Sequence, residues 1–205
     1  MSVITAVERI PEARRERPLP IDDRRGTTAM WLFICTEASL FAIFFASYWY
    51  SGKGEYRWPP DAPPKLHYAI PMLIVLVSSS LVLYWGELQV KQEKQRAGLI
   101  ALGVTILMGI GFLILSVFEY KEHLLTLSPR TDAYGSIFYT IVTFHAAHVT
   151  LGLCMLLYVL FLPGIEPRER TPHRPFHNAA LYWHFVDTVW VFVVAILYVT
   201  PNIRI

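Results

Sequence analysis

The chain has 205 residues and a formal net charge of +2; 54% of it is hydrophobic and 17% charged, and the mean hydropathy is +0.40. Soluble domains hold about 45–50% apolar and about 25% charged residues, and the excess here lies in long uninterrupted runs, the signature of membrane spans. With no Gly-rich phosphate loop, no HExxH, no GxSxG and no basic patch interleaved with exposed aromatics, the nucleotide-binding, protease, hydrolase and nucleic-acid readings lack support.

In chain order, residues 1–26 form a polar tail with Arg9, Arg14, Arg15, Arg17, Arg24 and Arg25. The run that follows is too long and aromatic for a signal peptide and carries a glutamate, so it reads as a first span over about 28–50. The prolines of "RWPPDAPPK" cannot extend a helix. A second span is expected over about 67–86, with Pro71 tolerated in its first turn. "ELQVKQEKQR" connects it to a third span, about 97–119, whose Gly98, Gly103, Gly109 and Gly111 permit close helix approach. After "KEHLLTLSPRTDA" comes a fourth span, about 134–161, stopped by Pro163-Gly164. "IEPRERTPHRP" leads to a fifth, about 177–199, stopped by Pro201, with residues 201–205 as a short tail. Each run can cross a hydrocarbon core of about 30 Å at about 1.5 Å per residue.

The flanking cations set the orientation. With the N-terminus inside, the inside segments hold the six tail arginines, Lys91, Lys94, Arg96, Arg168, Arg170 and Arg174. The outside segments hold Lys53, Arg57, Lys65, Lys121, Arg130 and Arg204. Twelve against six predicts an all-α, integral membrane bundle of five transmembrane helices, N-terminus inside and C-terminus outside. Six arginines suit either anionic headgroups or a partner. Cys35 and Cys154 sit inside apolar runs and read as small packing residues, not a disulfide framework or a CxxC site.

Five ionisable residues lie within the spans: Glu37, His145, His148, His184 and Asp187. An Asp at a helix centre disfavours insertion by roughly 2.5–3.5 kcal/mol on translocon scales, so such groups usually face the bundle interior and find partners. Glu37, His148 and Asp187 fall near the middles of their spans, and parallel spans would put them in one layer; at least two are expected in one polar cluster. At about 100° per residue, Trp183, Asp187 and Trp190 share one face within about 60°, where the indole N–H groups could donate to the carboxylate. His184 flanks that face.

Three functions compete for these residues. His145/His148 and His184/Asp187 are both i,i+3 pairs, and two such helices could bracket a metal or haem. Buried Glu, His and Asp also serve proton or ion paths, yet only Glu119, Tyr120 and Glu122 extend the set outward and little does so inward. The third reading is a polar network that fixes helix packing or binds lipid headgroups and a partner subunit.

The stretches 33–49 ("FICTEASLFAIFFASYW"), 118–123 ("FEYKEH"), 134–152 ("YGSIFYTIVTFHAAHVTLG") and 180–192 ("ALYWHFVDTVWVF"), in that order, resemble subunit III of the haem-copper respiratory oxidases. The first is similar to that family's glutamate-bearing helix and the second to its Glu-Tyr-x-Glu element. The third resembles its YGS-F…FHG-HV-G helix, with Ala146 where glycine is usual, and the fourth resembles its YWHFVD-VW signature. Many relatives have seven spans; five resemble the short bacterial form without the two N-terminal helices that wall a lipid-holding cleft. The resemblance implies a non-catalytic subunit without haem, copper or other metal of its own. It would pack on subunit I, meet subunit II and other respiratory-complex subunits, hold phospholipid, and support proton uptake and sustained turnover of O2 reduction. Haems and copper belong to subunits I and II in that picture. The implied location is a bacterial plasma membrane. Glu37, His145, His148, His184 and Asp187 match the family's buried polar positions, with Glu119, Tyr120, Glu122, Trp183 and Trp190 around them. Quinol-oxidase subunit III and the accessory protein of nitric oxide reductases share the pattern. A membrane protein with its own redox centre or ion path is the alternative of another class.

Overall fold

The computed structural model describes residues 24–53, 58, 64, 66–124, 133–161 and 173–203. The arginine-rich tail through residue 23, residues 125–132 and 162–172, and Arg204 lie outside the described residues. Among the described residues every element is helical. Helix α1 spans Arg24–Ser51, α2 Leu66–Lys91, α3 Gln95–Leu124, α4 Ala133–Phe161 and α5 His173–Val193; α5 runs on through a π-helical turn, Val194–Val199, into a last turn, Thr200–Ile203. All five are long and apolar enough to cross a membrane. They form a five-helix membrane bundle. A helix that is apolar around its whole circumference is stable only when every side of it avoids water, and a lipid core leaves the backbone no partner but itself.

The helices extend beyond the apolar runs read from the sequence, because charged ends continue the helical hydrogen bonding. α2 gains a turn that carries Glu87 and Lys91, paired i,i+4 at 2.8 Å. Pro71 sits six residues into α2 rather than in its first turn, and leaves the His67 carbonyl without its helical donor. Pro201 does not stop α5. A proline ring clashes with the carbonyl four residues back. The π turn ahead of it widens the ladder, so that Thr200 N–H bonds Ala195 O and the helix passes through Pro201 to Ile203.

α2 and α3 form the most extensively packed pair. Their connection is a Schellman motif: Glu93 N–H bonds Val90 O at 3.0 Å and Lys94 N–H bonds Gln89 O at 3.0 Å, with Glu93 at φ 62°. α5 is the central and most buried helix, touching α1, α2 and α4, whereas α1 is the least buried and rests on α5 and α4. Trp183 of α5 is fully buried at the hub. A Cβ at Gly109 of α3 would stand 2.6 Å from its Cη2, and one at Gly152 of α4 would stand 2.9 Å from its Cε3, so two glycines make room for one indole. Gly103 and Gly111 face open space instead. Outward, bulky side chains such as Ile43, Leu81, Ile100 and Leu107 are exposed, as lipid-facing positions require. Cys35 and Cys154, read from the sequence as small packing residues, are free thiols exposed on the outer surface of α1 and α4.

Candidate functional site

Halfway along the bundle, helix geometry turns the five intramembrane ionisable residues onto three fronts. On the first, Glu37 of α1 meets His148 of α4, Oε2 to Nε2 at 2.8 Å. His148 Nδ1 lies 2.6 Å from the Phe144 carbonyl, which can only accept, so Nδ1 carries a hydrogen. The contact with Glu37 then needs one more proton, on either Nε2 or the carboxyl. The pair is therefore imidazolium–carboxylate or imidazole–carboxylic acid. Either form is neutral overall, which suits an apolar surrounding where a net charge is strongly disfavoured.

On the second front, Asp187 of α5 meets α2. Ser80 Oγ donates to Asp187 Oδ2 and lies 2.8 Å from His184 Nδ1. A serine hydroxyl has one hydrogen, so His184 Nδ1–H donates to Ser80 Oγ and Ser80 passes the polarity on to Asp187. The expected indole donors do not serve the carboxylate. Trp183 Nε1 donates to Ser79 Oγ at 2.9 Å, and Trp190 Nε1 has no protein partner. The reason is the neighbouring helix: α2 brings two adjacent serines to α5, and these meet the Trp183 and Asp187 positions before the two can meet each other.

On the third front, His145 is almost fully buried among rings. It stacks on Trp190 with centroids 4.8 Å apart, and Phe112 and Phe41 approach edge-on at 5.7 and 6.4 Å. The two i,i+3 pairs therefore do not bracket a common point. His148 turns to α1, His184 and Asp187 turn to α2, and His145 turns inward. Among the described residues no three His, Cys, Asp or Glu side chains converge.

Of the supporting residues, Glu119, Tyr120 and Glu122 lie toward the far end of α3. Tyr198, in the π turn, donates to Glu119 Oε1 at 2.8 Å. Tyr120 Oη is 3.3 Å from Thr143 Oγ1, and Glu122 is 3.1 Å from His67 Nε2 at the start of α2. Sequence reading missed the pair at the opposite end. Glu87, buried on α2, accepts from Lys91 Nζ at 2.8 Å and from His177 Nδ1 of α5 at 2.9 Å. The signal was present: Ser80/Glu87 and His177/His184 are both seven apart, two helical turns, which puts each pair on one face of its helix. Reading Glu87 as part of a charged connector hid it.

Comparison with known proteins adds an independent observation. The profile of the family described as "Cytochrome c oxidase subunit III" matches residues 24–201. A cytochrome c oxidase subunit 3 of Synechocystis sp. is 36% identical over 173 residues, 82% of this chain and 72% of that protein. One of a Bacillus sp. is 30% identical over 189 residues, 91% of each chain, and one of Alkalihalophilus pseudofirmus is 30% identical over 181 residues, 87% of this chain and 88% of the other.

Proposed function

We infer the role of this chain from the premise that it belongs to the cytochrome c oxidase subunit III family, as an integral membrane subunit of an oxidase complex. Within that complex it packs on subunit I, holds phospholipid at its surface, and supports proton uptake and sustained turnover of O2 reduction. The haems and copper reside in subunits I and II, and no residue of this chain is catalytic or a metal ligand. The membrane is a bacterial plasma membrane.

One observation carries this reading. The intramembrane acids are engaged by side chains of other helices: Glu37 by His148, Asp187 by Ser80, Glu119 by Tyr198. Groups arranged to ligate a metal share a focus and keep a face open toward it. Groups arranged to fix helices pair off across each interface, as these do. The bulky exposed side chains are the material for contacts with lipid and with neighbouring transmembrane helices.

The test is a reduced-minus-oxidised optical spectrum of the tagged chain, purified in mild detergent, before and after its partners are stripped. Haem absorption that leaves with the partners is the expected result. Absorption that stays with the stripped chain would overturn the cofactor-free reading and return the histidines to ligand status.

A further inference from the structure

Four buried polar atoms at the bundle centre have no protein partner: Nδ1 and Nε2 of His145, Nε1 of Trp190 and Oδ1 of Asp187. The residues that carry them are 1%, 0% and 5% exposed, so bulk water and lipid headgroups do not reach them. A neutral imidazole has one N–H to donate and one lone pair to fill, and an imidazolium has two N–H groups to donate. Phe41, Phe112 and Trp190 offer ring faces and edges but no acceptor for either form. Native interiors leave few such groups dry, and those that lack protein partners are met by ordered internal water.

The chemistry of the four atoms selects the ligand. An apolar occupant would leave all of them unsatisfied. A metal ion would find at most one imidazole and one carboxylate oxygen, beside an indole N–H that cannot ligate, and among the described residues no three His, Cys, Asp or Glu side chains gather to hold one. Water both donates and accepts, which the mixed set of indole N–H, imidazole and carboxylate oxygen requires. Geometry fits as well. The His145 and Trp190 rings stack, inclined by only 25° with centroids 4.8 Å apart, so their edges lie side by side and a water has its place at those edges, where the nitrogens are, rather than between the faces.

We propose that the bundle holds internal water at the nitrogen-bearing edges of the stacked His145 and Trp190 rings, and that this water completes a polar belt across the helices. Read across the belt, Glu37 of α1 joins His148 of α4. His145, one turn before His148, meets the water with Trp190 of α5. Asp187, one turn before Trp190, joins Ser80 of α2. The belt runs transverse to the helices rather than along them. Its function is to lock four helices in register at mid-height.

The experiment is a cryo-EM map of the complete oxidase complex in lipid nanodiscs, at a resolution that shows ordered water elsewhere in the complex. Density within hydrogen-bond distance of a His145 ring nitrogen and of Trp190 Nε1 is expected; an empty site in such a map overturns the proposal. The His145→Phe complex gives a second readout, because phenylalanine keeps the ring and removes both nitrogens. If water is bound, the substitution strands the water and Trp190, and the complex melts a few degrees lower. If the site is dry, it relieves two unpaired nitrogens, and an unchanged or higher melting temperature counts against the proposal. Where the variant does not assemble, the map of the unaltered complex decides.

Discussion

At the residue scale, the structure separates groups whose loss leaves a neighbour stranded from groups that a near-isostere can replace. His148 keeps Nδ1–H on the Phe144 carbonyl, so a neutral ring presents a lone pair to position 37. Glu37→Gln supplies an amide N–H to that lone pair and keeps the pair neutral, so little change in stability and only modest effects on turnover are expected. Glu37→Leu supplies nothing, and the bared imidazole should destabilise the assembled complex by about 1 kcal/mol, the usual scale for an inter-helix hydrogen bond in lipid. Thermal melting of the two complexes side by side measures the difference; equal melting temperatures would mean that the contact contributes nothing. Asp187→Ala removes the acceptor of Ser80 and should likewise cost about 1 kcal/mol, with the haem spectrum of the assembled complex unchanged. Loss of a haem or copper signal with assembly intact would contradict the supporting role. Glu37, His145, His148, His184 and Asp187 were legible as unusual residues from their placement in apolar runs alone. Their partners were less so, because Ser79, Ser80 and Thr143 look unremarkable in a membrane helix until a neighbouring helix brings a donor or an acid against them.

At the element scale, helix existence followed from apolar length, while helix ends did not. Length and composition decide whether a segment can cross lipid. The last turns are decided by local hydrogen bonding that continues into polar sequence, as at Glu87–Lys91, or by a rearranged ladder that admits a proline, as at the π turn before Pro201. The α2–α3 connection is the clearest local case. Both Schellman hydrogen bonds form around Glu93, whose φ of 62° lies in the left-handed region. A side chain there costs roughly 1–2 kcal/mol relative to right-handed conformations, and glycine avoids that cost. Glu93→Gly is therefore expected to stabilise the chain by about 1 kcal/mol, less what glycine loses in the unfolded chain. The measurement is thermal or denaturant unfolding in detergent, and a lower stability for the variant would show that the Glu93 side chain contributes more than its backbone costs.

At the scale of the whole molecule, the bundle is organised around α5, and that too was only partly legible. The "YWHFVD" stretch announced itself by its acid and base, but the centrality of Trp183 depends on Gly109 and Gly152 lying on two other helices, a relation no single segment contains. How the bundle lies in the membrane rests on charge, not on packing. Twelve basic residues flank the ends assigned to the inside and six the ends assigned to the outside, and such a bias orients membrane proteins because cationic loops are retained on the cytoplasmic side. The turn between α2 and α3, with Lys91 and Lys94 exposed, should then face the cytoplasm. A single thiol placed there by Gln92→Cys reads this directly. The native Cys35 and Cys154 lie on the outer surface of α1 and α4 within the apolar spans, where a charged reagent does not partition. A membrane-impermeant maleimide should therefore label the variant in inside-out vesicles and leave it unlabelled in intact cells. Labelling in intact cells would invert the bundle, placing Glu87 and His177 at the outer surface and Glu119 and Tyr198 toward the cytoplasm.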